Sequence, residues 1–204
     1  MSKNGHSWRT DELTGIGEVM RVLLTSAGLE TEEIKKYFVD MTGKDMALVR
    51  ALFIPTAAIN AGAIAVLPKC MNDLLKCGIQ DKNIKVHDLH IGMEIEELQQ
   101  YDVVYLCGGD TNFLLERVNA TGFNKTLMEY IQADGLVIGV SAGSLIFCNN
   151  LSGNLGLIDT KLAVHCAEGD RVGKVAYPVK DSIRLTDTSA LAVRAFPAGL
   201  EIIG

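Results

Sequence analysis

The sequence predicts an α/β fold: a doubly wound, mostly parallel sheet flanked by helices, followed by a β-rich C-terminal tail. Three observations carry this. Short apolar runs alternate with longer amphipathic stretches from Val19 to Val140, the pattern of βαβ units on a parallel sheet. The runs are apolar along their whole length, as strands covered on both faces must be. After Asn150 the helical period fades, and Leu155 to Gly204 reads as short strands and turns. A chain of 204 residues holds one core of this kind and is short for two.

Taken in order, residues 1–19 show no periodicity and read as a leader outside the fold, disordered and left by an expression vector or an upstream start. A single domain is therefore expected over 20–204. Its strands are VMRVLLT (19–25), ALVRALFIP (47–55), NIKVHDL (83–89), DVVYLC (102–107) and LVIGV (136–140). Helices are expected over Glu30–Met41, over a stretch ending near Cys77, over Glu94–Gln100, and over Thr111–Asp134 with a break at Gly122. Pro68 either opens the second helix at its first position or kinks it. The tail is expected to end in a hairpin around Pro197–Gly199.

Composition excludes several function classes. With 48% apolar and 22% charged residues the chain is not disordered. Its net charge of −6, with no Lys/Arg cluster, argues against a nucleic-acid partner. The longest nearly apolar stretch, Ala57–Pro68, is interrupted by Asn60 and falls short of the roughly 20 residues that cross a bilayer. The N-terminus lacks the basic and apolar regions of a secretory signal, so a cytoplasmic protein with no membrane partner is expected. Five cysteines without CxxC spacing suggest neither a disulfide framework nor a zinc site. No cofactor is expected, and the chain reads as a monomer or a homodimer.

Ligands of such sheets gather at the carboxyl ends of the strands, and two glycine-rich turns fall there. Gly139-Val-Ser141-Ala-Gly143 follows the fifth strand and matches G-x-S-x-G in its strand-turn-helix context. A strained turn would lift the Ser141 hydroxyl clear of the sheet and leave the Ala142 N–H facing a developing oxyanion. The plainer alternative is a helix-capping serine beside a packing contact. Gly108-Gly109 follows the fourth strand and lacks the Gly-Lys-Ser/Thr of a phosphate loop and the G-x-G-x-x-G of a dinucleotide site. It reads as a second oxyanion wall, with Asp110 capping the next helix.

A serine nucleophile needs a base. Of four histidines, His6 lies in the leader, and His87 and His90 lie three apart on an expected strand, pointing to opposite faces. His165, downstream of the elbow, is the candidate. The third member should be a carboxylate: Asp187, 22 residues after His165 in RLTDTSAL, with Asp159 as the alternative. Cys148, two helical turns from the elbow, is discounted as a nucleophile.

Together, YLCGGDTNF (105–113), IGVSAGS (138–144), Gly156-Leu157-Ile158 and His165 resemble the dipeptidase E and cyanophycinase family of serine peptidases, which has the class I glutamine amidotransferase-like fold. The likeness covers roughly Met20–Gly204 and is strongest from Asp102 to Leu145. It implies Ser141 as nucleophile, His165 as base, and an oxyanion hole from the N–H groups of Gly109 and Ala142. It also implies metal-free hydrolysis of small peptides, dipeptides with an N-terminal aspartate, through an acyl-enzyme. Dipeptidase E carries its acid between serine and histidine, on a segment that is shortened here to Cys148–Asn154. The cyanophycinase branch places the acid after the histidine, in a segment similar to Leu185–Leu191, which favours Asp187. The base stands in Val164-His165-Cys166 rather than the family's frequent Pro-His context. Arg171 is the candidate cation for an acidic substrate residue. The competing reading is a catalytically silent, amidotransferase-like binding or regulatory module. Catalysis requires His165 within hydrogen-bond reach of Ser141.

Overall fold

The computed structural model describes residues 20–195 and 197–204; the expected leader lies outside the described residues. The five apolar runs form β1 (Arg21–Thr25), β2 (Ala51–Ile54), β3 (Ile84–Val86), β4 (Val103–Leu106) and β5 (Leu136–Val140). They lie parallel in the order β3-β2-β4-β5-β1. Every residue of β2, β4 and β5 is buried, which is why these strands carry no polar alternation. The third run is cut to three residues because β3 is the edge of the sheet. There Lys85 and Val86 are exposed, and a 3₁₀ turn at Asp81–Asn83 precedes the strand. His87 and His90 thus stand beyond the strand, and the opposite-face argument does not apply to them.

The connecting helices are α1 (Glu32–Thr42), α2 (Ala61–Lys76), α3 (Ile95–Leu98), α4 (Thr111–Ala120), α5 (Phe123–Gln132) and α6 (Ala142–Leu145). Their starts are written in the sequence. Thr31, Asn60 and Asp110 each accept a backbone N–H three residues on, from Ile34, Ala63 and Phe113 at 2.9–3.1 Å. Helix α1 buries Ile34, Phe38 and Met41, one face at helical spacing, and stops at the left-handed Gly43. Helix α2 runs through Pro68, so the proline does not open it. Pro68 is exposed, and the carbonyl of Ile64 that loses its helical donor stands on a solvent-facing residue. The break at Gly122 separates α4 from α5.

The tail adds β6 (Lys161–Ala163), β7 (Gly173–Lys174), β8 (Ser182–Arg184), β9 (Ala190–Val193) and β10 (Leu200–Ile203). Strand β9 pairs antiparallel with β1, β10 with β9 and β7 with β10, extending the sheet to eight strands. The hairpin expected near Pro197–Gly199 is the β9–β10 connection. Strands β6 and β8 form a separate parallel pair.

Alternate strand residues feed two buried layers. One, containing Leu23, Phe53, Tyr105 and Ile138, packs under α1 and α2 through Ile34, Phe38 and Leu74. The other, containing Val22, Leu24, Val104 and Val137, packs against Leu114, Phe123 and Leu127 of α4 and α5 and Leu162 and Ile183 of the β6–β8 pair. Each fully buried leucine or phenylalanine contributes about 1.5–3 kcal/mol, so both covers are held by apolar burial. The sheet is doubly wound, as the pattern required. Among the described residues no helix is long and apolar enough to cross a membrane.

Candidate active site

The carboxyl ends of β1, β4 and β5 lie side by side, and the polar residues collect there. Ser141 follows β5 directly and has φ 48° and ψ −108°, a strained conformation for a residue with a β-carbon. Its N–H donates to the Thr25 carbonyl at 2.9 Å, and the Ser144 hydroxyl donates to the same carbonyl at 2.8 Å. The end of β1 thus fastens both arms of the elbow. The two flanking glycines are required by contact: a Cβ on Gly139 would stand 2.6 Å from the Gly143 carbonyl oxygen, and one on Gly143 would stand 2.4 Å from that of Leu106.

The turn after β4 abuts this elbow, since a Cβ on Gly108 would approach the Ser141 Cβ to 3.2 Å. Gly109 has φ 145°, and a side chain there would collide with the Ala57 carbonyl at 2.0 Å. The neighbouring Asp110 N–H donates to that same carbonyl at 2.8 Å and fixes the turn. Gly109 lines the cavity with Ser141. Ala142 is the first residue of α6, where a helix has no internal acceptor for its N–H.

The candidate base and acid arrive from the tail. Strands β6 and β8 pair in parallel with Ala163 opposite Arg184. Leu185 N–H then donates to the Ala163 carbonyl at 2.8 Å, and Cys166 N–H to the Leu185 carbonyl at 3.0 Å. This register delivers His165 and Asp187 together. Asp187 also stands three residues before the start of β9, whose antiparallel run beside β1 places Ala190 opposite Thr25. An antiparallel strand starts where its parallel neighbours end, so the loop before β9 opens onto the catalytic edge. His165 Nε2 lies 3.0 Å from Ser141 Oγ, and His165 Nδ1 lies 2.6 Å from Asp187 Oδ1. The requirement set by the sequence, histidine within reach of the serine, is met. The hydrogen bond from His165 holds the Asp187 carboxyl below the ordinary carboxylate value; what burial there is acts the other way, and a hydrogen bond from Ser26 lowers it further.

These groups open onto a cavity of about 430 Å³. One wall is apolar, from Ala63, Val66 and Leu67 of α2, with Val66 46% exposed. Glu30 and Lys69 also line it and form an ion pair, and Lys69 Nζ donates to the Ala27 carbonyl at 2.9 Å. Arg171, the cation expected from the sequence, is exposed and does not line the cavity. It follows His165 closely in sequence, but the chain between β6 and β7 carries it away, whereas Lys69 enters from α2. Asp159 is likewise not at the base; it accepts from Asn149 at 3.2 Å and lies before β6. Cys148 is fully buried, which pushes its thiol up to about 12. His87 and His90 occupy a surface turn, His87 Nε2 lying 3.1 Å from the Ile91 carbonyl oxygen. Among the described residues no cluster of three His, Cys, Asp or Glu could hold a metal.

Three residues of the site were not singled out from the sequence. Lys69 and Glu30 carried no signal, being ordinary charges on helical or loop segments. Ser26 did carry one: Thr25-Ser26 is a polar pair ending a strand whose preceding three residues are apolar and buried, at the sheet edge where ligands bind.

Comparison with known proteins agrees with this geometry. The model of Peptidase family S51 matches residues 22–160, well over half of the chain. Curated relatives include the uncharacterized peptidase Lmo0363 of Listeria monocytogenes serovar 1/2a, 30% identical over 125 residues covering 61% of each chain. Another is the uncharacterized peptidase PM1590 of Pasteurella multocida, 28% identical over 99 residues covering 48% of each. The match thus spans about 61% and 48% of these relatives' lengths. Among solved structures, a candidate peptidase E from Listeria monocytogenes EGD-e superposes with a TM-score of 0.70 at 20% identity, over 91% of this chain and 100% of that one. A peptidase from an acI-B1 actinobacterium gives a TM-score of 0.62 at 16% identity, over 92% and 89%. These two likenesses show the fold. With the family match running through the Gly109 turn and the Ser141 elbow, this chain belongs to peptidase family S51.

Proposed function

We propose that the chain is a serine peptidase that hydrolyses small peptides, dipeptides with an N-terminal aspartate, through an acyl-enzyme on Ser141. The observation that carries this reading is the unbroken line from Ser141 Oγ to His165 Nε2 (3.0 Å) and from His165 Nδ1 to Asp187 Oδ1 (2.6 Å). With Asp187 accepting the Nδ1 proton, Nε2 is free to take the Ser141 proton as Oγ bonds to the scissile carbonyl carbon. The oxyanion would meet the N–H groups of Gly109 and Ala142. His165 returns the proton to the leaving amine as the C–N bond breaks. Water then repeats the sequence in reverse roles and releases the acid.

Substrate choice follows from the cavity wall. Lys69 is the one lysine or arginine lining it among the described residues, so a substrate carboxylate would compete with Glu30 for the Lys69 ammonium. Ala63, Val66 and Leu67 offer an apolar surface to the remainder of the peptide. The test is a fluorophosphonate probe followed by a panel of Asp-X dipeptides. Labelling should map to Ser141 and vanish in Ser141→Ala, and Asp-Leu should be cleaved in preference to Ala-Leu. A Ser141→Ala protein that hydrolyses at full rate would end the proposal, and an unlabelled wild type would favour a silent module.

A further inference from the structure

Ser26 directly follows β1 and is fully buried, yet its hydroxyl meets both tail residues of the site. Its Oγ accepts the backbone N–H of His165 at 2.7 Å, donates to Asp187 Oδ1 at 3.0 Å, and lies 3.4 Å from His165 Nδ1. A hydroxyl has one proton and two lone pairs, so one orientation serves the amide and the carboxylate together. Both tail residues need such a partner. His165 has φ 57°, a left-handed backbone that costs energy for a residue with a β-carbon. Its side chain is 52% exposed and that of Asp187 60%, so packing does little to hold either rotamer.

Ser26 itself is rigidly held. Thr25 Oγ1 accepts from Gly28 N–H at 3.1 Å, and Asp73 accepts from Leu29 N–H at 3.0 Å and from the Tyr105 hydroxyl at 2.8 Å. Lys69 donates to the carbonyl of Ala27 between them. The loop after β1 is therefore a fixed reference frame, tied to the same Thr25 that fastens the nucleophile elbow.

We infer that Ser26 is a positioning residue that registers His165 and Asp187 against Ser141, acting through both rather than on substrate. This rests on the serine-peptidase reading. A hydrogen bond to a charged group sets the scale: Ser26→Ala should slow fluorophosphonate labelling of Ser141 by roughly 10- to 100-fold. The loss should fall on the inactivation step and leave probe affinity unchanged. Ser26→Cys keeps the volume with a weak donor and acceptor and should fall between Ala and wild type, which preserves the test if the alanine variant folds poorly. In an Asp187→Asn background Ser26→Ala should cost about threefold or less, because the two act as one unit. The low-field proton resonance of the His165 Nδ1–H should shift or broaden in Ser26→Ala. A wild-type labelling rate in Ser26→Ala and Ser26→Cys, or full additivity with Asp187→Asn, overturns the inference while leaving the peptidase intact. Failure of the wild type to label overturns both.

Discussion

The two halves of the sheet contribute to the site in different ways. The parallel half, from β3 to β1, supplies Ser141 and the Gly108-Gly109 turn, and does so through backbone: a strained φ, glycines pressed against carbonyls, and N–H groups at a helix start. The antiparallel half and the β6–β8 pair supply His165 and Asp187 through exposed side chains held by hydrogen bonds. Backbone geometry is enforced by the core and resists substitution elsewhere; hydrogen-bonded rotamers depend on each partner. The proposed nucleophile and oxyanion groups are thus part of the fold, whereas the proposed base and acid are mounted on it.

The sharpest break of this contrast is Ser141→Ala, which removes the proposed nucleophile from an otherwise intact parallel half. Hydrolysis and probe labelling should fall on the order of 10⁴-fold or more, while the far-UV circular dichroism and melting temperature stay at wild-type values. In the mounted half, Asp187→Asn should lower the labelling rate by about 10³- to 10⁴-fold, and Asp159→Asn should leave it unchanged; equal losses would return the acid to dispute. The same pair carries a pH signature. Because folding lowers the Asp187 carboxyl, its ionised form stabilises the fold at all pH values above the ordinary carboxylate range. That contribution is lost as pH falls through the lowered value. The melting difference between wild type and Asp187→Asn should be flat near neutrality and close in acid below about pH 4.

Gly143→Ala tests the opposite half. With a Cβ forced to 2.4 Å from the Leu106 carbonyl oxygen, the elbow must shift, at a cost of about 1–3 kcal/mol. Stability and labelling should fall together, and the stability loss should exceed that of Asp187→Asn, whose main effect is on labelling. The smallest effect is expected at the cavity rim. Lys69→Met should raise KM for Asp-X dipeptides by about 10-fold, and Arg171→Ala should leave it unaltered. The reverse order would restore Arg171 as the substrate cation.

Legibility in the sequence followed the same division. The strands of the parallel half were readable because burial on both faces makes LVIGV and DVVYLC apolar throughout, and the elbow because its glycines are demanded at fixed spacing. His165 and Asp187 could be nominated by type and by resemblance, since few histidines were available. Their meeting could not be read, because it depends on a three-residue parallel pairing between β6 and β8 that no periodicity announces. The place of Arg171 outside the cavity could not be read for a related reason. Nearness in sequence to His165 suggested Arg171, while the cavity wall is built by α2, far from it along the chain. Ser26 fell between the two: its position at a strand end was visible, its partners were not. Edge effects explain the overlong third strand, as an apolar run does not reveal how many of its residues find a neighbour.

Strand β1 has a second duty. It is covered on one side by β5 and on the other by β9, so its row of amides and carbonyls is fully used. A chain cut after Lys180 would lose Asp187, and it would also uncover, as a free sheet margin, a five-residue strand whose Val22, Leu23 and Leu24 are apolar and buried. Such a fragment should self-associate through that margin, which β9, following the loop that holds Asp187, covers in the intact chain.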